Sequence, residues 1–464
     1  MIKVLNYSRL QIGNIMDNNV RLFLKTNNRT YDMWGHSILV LMIISYTMYF
    51  LVRQNFSLAM PFIEGTLGFS KTEIGVIMTC SLFVFGVGKF VNGFLGHLLR
   101  PKIFLSLGLV GSSLMNILFA KTSALWALSV VWSFNAFFQS IAWPQCVRLM
   151  SEWYSPTQLG TRWGLVSMAN QAGSFLVFAF FTFLIEAYGW RASFLIPGVV
   201  GIIAGLVILA LPLEVPKELG LCSMEERHGL AVEQGGQSGS SFQQVGWDIL
   251  SEILRNKFLW YVSLATFFIY IVKTGFCSWA PTYLKEAKGM GIKSVGFNMG
   301  AFEFAGAFGG LVAGWLSDRV FKGRRGQVGV IYLGGMVILL AALWLAPVNA
   351  SGLDTILLAA LGFVLFGPQV MAGAASVDLS SKRAAVAANG FVGFFSYFGS
   401  SIVSGVLLGY VTQHYGWSAT FLILIVSSII GAFFFWKTLG YTKKVVSMQK
   451  NDKIEPSKEA VNLS

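Results

Sequence analysis

The sequence predicts an all-α membrane protein, with twelve transmembrane helices arranged as two six-helix halves. Three observations carry that expectation. Only 12% of the 464 residues are charged and 55% are hydrophobic, with a mean hydropathy of +0.64, a balance foreign to soluble domains. Apolar runs long enough to cross a hydrocarbon layer of about 30 Å occur twelve times. Short segments of the first half also recur, in order, in the second.

The runs lie near 36–63, 72–95, 103–120, 125–147, 163–185 and 192–213, then near 259–284, 297–317, 328–347, 355–376, 386–411 and 417–436. Between them the chain turns polar and carries a Gly-Gly-Gln-Ser-Gly-Ser-Ser run from 235 to 241, the composition of a flexible linker. The expected organisation is an N-terminal segment 1–35, a first half 36–213, a linker 214–258, a second half 259–438 and a tail 439–464. Residues 1–35 are polar and basic, so the first span is expected to act as its own targeting signal in place of a cleavable leader. The 50 glycines suit close helix packing. Gly306, Gly310 and Gly314 fall on one helix face.

Orientation follows from the 34 lysines and arginines. Lys71, Lys121, Arg191, Lys285, Lys288 and Lys293 fall on one side. Arg53, Lys89 and Lys273 lie within spans, and all the others lie on the side of the N-terminus. The positive-inside rule then puts both termini and the linker in the cytoplasm. A formal charge of +13 invites a nucleic-acid partner. That partner is excluded, because the charge is spread over short loops and tails with no basic domain. Cys80, Cys146, Cys222 and Cys277 show neither metal-ligand spacing nor a disulfide framework. With no nucleophile–base pair and no phosphate-cradling loop, neither an enzyme nor a cofactor is expected.

The halves repeat in parallel. Gly189-Trp190-Arg191-Ala192-Ser193-Phe194-Leu195 recurs as Gly416-Trp417-Ser418-Ala419-Thr420-Phe421-Leu422. Pro144-Gln145 recurs as Pro368-Gln369, and Gly173-Ser174 as Gly399-Ser400. An even number of helices between equivalents gives both copies the same orientation, with the halves related about the membrane normal.

The same repeat aligns two charges. Val52-Arg53, followed by Phe56 and Pro61, matches Val272-Lys273, followed by Phe276 and Pro281. A charge deep in a membrane helix costs several kcal/mol and is kept mainly for function. Arg53, Lys89 and Lys273 against Glu303 leave an excess of positive charge in the dry interior, which a bound anion would balance. A phosphate monoester, nearly dianionic at neutral pH, fits in sign and size. Arginine adds a planar fork for paired hydrogen bonds, and lysine a point charge. Tyr46, Tyr49, Arg53 and Ser57 share one face of the first span, as Thr266, Tyr270, Lys273 and Cys277 do on the seventh.

Plainer readings stand beside these. Arg53 and Lys273 could be structural cations paired with Glu303. Lys89 could snorkel to a helix end. The tyrosines could be helix packing. Glu303 is either a lysine's partner or a group that titrates during transport.

The loop Gly314-Trp315-Leu316-Ser317-Asp318-Arg319-Val320-Phe321-Lys322-Gly323-Arg324-Arg325-Gly326 resembles the loop signature of the major facilitator superfamily. The resemblance implies a cytoplasmic gating loop in which Asp318 and Arg319 tie helix ends by charge pairs. In the first half His97 stands where Asp318 would be.

Over residues 30–440 the chain further resembles the organophosphate:phosphate antiporters of that superfamily. The stretches that carry the likeness are Tyr49 to Pro61, Gly88-Lys89-Phe90, Trp143-Pro144-Gln145-Cys146, Trp279 to Glu286 and Gly367-Pro368-Gln369. The resemblance implies the major facilitator fold and phosphate binding by Arg53 and Lys273 with help from Lys89. It further implies a monomer in a bacterial inner membrane that exchanges an organophosphate for inorganic phosphate. The family's glycerol-phosphate and hexose-phosphate carriers of enteric bacteria have arginine where this chain has Lys273, and the glycerol-phosphate carriers have histidine where it has Asn170, whereas the vertebrate glucose-6-phosphate members resemble this chain at both places. A sugar phosphate is therefore expected, with Asn170 and Gln171 toward its hydroxyls. The family also holds a sensor of external hexose phosphate that signals through a kinase, which is the competing expectation.

Overall fold

The computed structural model describes residues 30–95, 99–154, 156–222, 250–348, 351–380 and 384–452. Twelve spans follow one another as helices. The first half holds α1 (Thr30–Leu67), α2 (Lys71–Leu95), α3 (Pro101–Lys121), α4 (Leu125–Trp153), α5 (Pro156–Tyr188) and α6 (Ala192–Ala210). The second holds α7 (Lys257–Glu286), α8 (Ile292–Val320), α9 (Arg325–Leu345), α10 (Ser351–Asp378), α11 (385–415) and α12 (417–452). Every backbone N–H and C=O in a membrane must find an internal partner, so helices are what such runs form. Large apolar side chains such as Trp126, Ile338 and Leu345 stand exposed on the outer faces, because lipid is their solvent.

The repeat is visible in the backbone. Gly189 and Gly416 close α5 and α11 with φ of 80° and 76°, a left-handed conformation that only glycine adopts at no steric cost. Gly68 and Gly289 do the same after α1 and α7, at 70° and 65°. Boundaries differ from the sequence reading at the two ends. α1 is already helical at Thr30, ahead of the expected 36, and Tyr31 packs at a tilt on Trp153 at the end of α4, with ring centroids 5.0 Å apart. Helical backbone also continues through α12 to Asp452, beyond the expected end at 438. Part of the linker, 223–249, and His97 of the first-half loop lie outside the described residues.

Glycine sets the closest helix approaches. Within the second half, a Cβ on Gly306 would meet the Phe366 ring at 2.4 Å, and Gly362 lies against Phe302 O in the same α8–α10 contact. Of the glycine series read from the sequence, Gly306 is the tight one and Gly314 faces open space.

The polar contacts between the halves gather at the end where α1 meets α2. Thr79 donates to Ser401 O at 3.0 Å and accepts from Val406 N–H at 2.9 Å. Gly75 and Gly405 abut so closely that a Cβ on Gly75 would lie 2.6 Å from Gly405 O. Lys71 bridges Glu64 of its own half at 2.8 Å and Glu286 of the other at 3.0 Å. Thr72 donates to Gln413 at 2.6 Å, and Lys285 lies 3.8 Å above the Phe62 ring.

Candidate functional site

Midway along the seam between the halves, the three intramembrane cations are joined by a path of aromatic rings. Arg53 lies over Phe85 at 4.4 Å and Phe50 at 5.7 Å. Lys89 shares Phe85 at 5.3 Å, lies over Tyr397 at 4.6 Å and donates to its hydroxyl at 3.2 Å. Tyr397 packs on Tyr270 at 5.3 Å, whose ring lies 5.1 Å from the Lys273 ammonium. Each cation therefore touches an electron-rich face, a contact worth about 2 kcal/mol when desolvated. None of these contacts cancels its charge.

The two repeat-related cations are held differently. Lys273 donates to Gln369 Oε1 at 2.5 Å and lies 5.3 Å from the Phe366 ring, both on α10. The Arg53 guanidinium has no hydrogen bond or ion pair among the described residues, and its five donors are free for a ligand. Gln145, the repeat partner of Gln369, is buried with its Oε1 unbonded. The helices differ too. α7 runs unbroken past Lys273, whereas α1 breaks at 52–54, beside Arg53.

The other predicted residues divide. Tyr270 joins the cations. Tyr46 packs between Phe50 and Trp143, with centroids at 5.4 and 5.5 Å. Tyr49 turns away into the first-half core and donates to Leu105 O on α3 at 2.6 Å. Asn170 is half-buried and Gln171 buried on α5. That helix meets α1 at the break, where Gln54 donates to Ser174 Oγ at 3.2 Å. Glu303 is buried on α8, and Lys273 forms no ion pair with it. In the gating loop Asp318 pairs with Arg325 at 2.5 Å, and Arg325 also holds Asp378 at 3.1 Å. Arg319 is exposed, so the ion pair forms seven residues along instead of next door. Arg325 opens α9, so the pair spans the turn between α8 and α9 and ties the two helix ends together.

Sequence reasoning missed Tyr397, Phe85 and Gln369 as site residues. Two signals were available. Pro144-Gln145 and Pro368-Gln369 are repeats, and two residues before the Gly-Ser repeat lies Gln171 in one half and Tyr397 in the other.

The sequence profile of the Major Facilitator Superfamily matches residues 42–404. Among curated relatives, the "Probable hexose phosphate transport protein" of Chlamydia pneumoniae is 34% identical, covering 90% of this chain and 93% of its own. The "Glycerol-3-phosphate transporter" of Bacillus subtilis (strain 168) is 33% identical, over 85% of this chain and 90% of its own. The "Membrane sensor protein UhpC" of Escherichia coli (strain K12) is also 33% identical, over 87% and 91%. Among solved structures, a bacterial homologue of the human lysosomal transporter Spinster in an inward-facing, unoccupied conformation superposes with a TM-score of 0.71. It shares 14% identity and covers 88% of this chain and 97% of that one. With this fold, the repeat-related cations and these relatives, the chain belongs to the major facilitator superfamily, within its organophosphate:phosphate antiporter family.

Proposed function

We propose that the protein exchanges a sugar phosphate, a hexose 6-phosphate, for inorganic phosphate by alternating access across a bacterial inner membrane, as a monomer with both termini in the cytoplasm. The observation that carries this reading is the unpaired Arg53 guanidinium in one ring path with Lys89 and Lys273. A phosphate between them takes paired hydrogen bonds from Arg53 and point charges from the lysines. Tyr397, already bonded to Lys89, gives the anion a hydroxyl from the opposite half. Asn170 and Gln171 are assigned to the sugar. Glu303 is assigned to tune the charge around Lys273 from a neighbouring helix.

Exchange, as opposed to one-way flux, follows from electrostatics. An empty site holding excess positive charge is poorly placed to pass through a closed, dry state, and a bound anion removes that barrier. A ligand shifts a conformational equilibrium only by its differential affinity, and here the occluded state gains most. The polar contacts at the Lys71 end hold the outer side closed under this orientation. Arg325, held between Asp318 and Asp378, ties α8, α9 and α10 on the cytoplasmic side.

The test is uptake of labelled phosphate into proteoliposomes preloaded with phosphate, with glucose-6-phosphate and glycerol-3-phosphate as competitors. Rapid exchange by the wild type, with loss in Arg53→Ala and in Lys273→Gln, is the expected result. Near-normal exchange by Arg53→Ala protein overturns the site. The likeness to a sensor-named relative favours a second reading, a receptor for the same ligand. Binding of hexose phosphate without exchange would select it.

A further inference from the structure

The break in α1 beside Arg53 is held open by five buried polar side chains that the anion site does not itself use. At the break, Arg53 N–H bonds Phe50 O, three residues back, at 3.2 Å. Tyr49 O, its ordinary helical acceptor four residues back, receives Gln139 Nε2 at 3.1 Å instead. Val52 O accepts from Asn116 Nδ2 at 2.8 Å and from Asn135 Nδ2 at 3.3 Å. Asn55, just past the break, donates to Asn116 Oδ1 at 2.7 Å and to Ser193 O at 3.0 Å. Ser112 closes the cluster, accepting from Gln139 at 2.7 Å and donating to Asn135 Oδ1.

Asn55, Ser112 and Asn116 are fully buried, and Asn135 and Gln139 are at most 5% exposed. An amide in hydrocarbon surroundings without partners costs a few kcal/mol, so four of them together need a purpose. Packing alone does not require them. The equivalent stretch of α7 passes Lys273 as continuous helix, with no amide side chain on its backbone among the described residues. Among the described residues, the first half thus carries both the broken helix and the amide cluster, and the equivalent stretch around Lys273 carries neither. The cation above the break is the arginine, whose bidentate grip depends on direction. The cation on the unbroken helix is the lysine, a point charge that does not.

We propose that Asn55, Ser112, Asn116, Asn135 and Gln139 form the positioning device for Arg53, fixing the height and direction of its guanidinium by locking the α1 break. α1 is tied through them to α3, α4 and α6. The fork is thereby rigid before a ligand arrives, which lowers the entropy lost when an oxyanion binds. This inference rests on the reading of Arg53 as the anion's bidentate partner.

The experiment measures phosphate exchange in proteoliposomes by Asn116→Leu, which removes the bonds to Val52 O, Ser112 O and Asn55 while keeping the side chain's heavy-atom branching. The expected result is insertion and yield like wild type, with KM for phosphate raised roughly tenfold or more, as for other groups that orient a ligand's partner. Vmax should change far less. In an Arg53→Lys background, whose charge is not directional, the same substitution should add no further loss. As a control, Asn298→Leu alters an equally buried amide of α8 that bonds Ser294 O and Thr355, and KM should stay unchanged. If Asn116→Leu is not recovered from membranes, Gln139→Leu decides, since it loses only the bonds to Tyr49 and Ser112. Unchanged KM in the variant measured, or a loss equally large in the Arg53→Lys background, overturns the positioning role. Normal exchange by Arg53→Ala would instead sink the anion site itself, so the two failures are distinct.

Discussion

The Lys89 ammonium of the first half donates to the Tyr397 hydroxyl of the second at 3.2 Å, among the described residues the one hydrogen bond that joins a clustered cation to the opposite half. It gives one ligand a reason to see both halves at once. Removing the hydroxyl alone, as Tyr397→Phe, keeps the ring packing on Phe85 and Tyr270. Hydrogen bonds to charged groups contribute about 1.5–3 kcal/mol. The variant should therefore raise KM for phosphate by roughly tenfold or more, measured as exchange in proteoliposomes.

Net efflux from phosphate-loaded vesicles into phosphate-free buffer should be much slower than exchange, because the empty carrier reorients with uncompensated charge. Equal rates with and without external phosphate would identify a uniporter.

Asn170→Ala should weaken competition by glucose-6-phosphate much more than that by inorganic phosphate. Asparagine offers donors and an acceptor suited to a hydroxylated ring, and phosphate alone does not reach it under the assignment made above. Competition curves on wild-type and variant protein read the difference. An equal loss for both ligands removes Asn170 from the sugar's side.

Lys71 joins Glu64 and Glu286 across the seam with its ammonium partly exposed, a geometry in which each ion pair contributes at most about 1 kcal/mol. Lys71→Ala should loosen closure at that end without preventing it. In a chain whose four native cysteines are replaced, a cysteine at Thr79 should react with an impermeant maleimide about two- to fivefold faster. No change would show that the seam stays shut without Lys71, on the glycine abutment and its neighbours.

Lys288 and Asp354 form an ion pair of 3.0 Å with side chains 2% and 0% exposed, and Lys288 also bonds Ala346 O at 2.8 Å. Breaking such a pair leaves an uncompensated buried charge and costs about 3–5 kcal/mol. Asp354→Leu should lower thermal stability in detergent sharply. The double change Lys288→Met with Asp354→Leu should recover most of it, and the melting temperatures of the three proteins settle the point.

The fold was legible because its signals are local or periodic. Apolar length sets a span, Gly189 and Gly416 set a turn, and the spacing between repeats sets the symmetry. Arg53, Lys89 and Lys273 were legible for a related reason, since a charge in an apolar run stands out by composition alone. Tyr397 and Phe85 were not, because an aromatic residue among many aromatics carries no mark until packing puts a cation on its face. Lys288 misled in the other direction. By sequence it is a loop lysine, and only the fold brings Asp354 within reach to bury it. Tyr49 shared a helix face with Arg53 by spacing, but the break at 52–54 turns that arithmetic aside and sends its hydroxyl to Leu105.

The abutment of Gly75 on Gly405 sets how finely the two halves can register. Contact there is backbone against backbone, with no side chain to fold aside and no rotamer to absorb a misfit. A joint of that kind is geometrically unforgiving when shut yet leaves little adhesive surface behind when it parts. The closed arrangement can thus be sharply defined without being deeply stable, which suits a seam that must separate on every cycle. A single methyl group at Gly75 would act as a wedge, shifting the population toward the parted form while leaving the distant cations chemically unaltered.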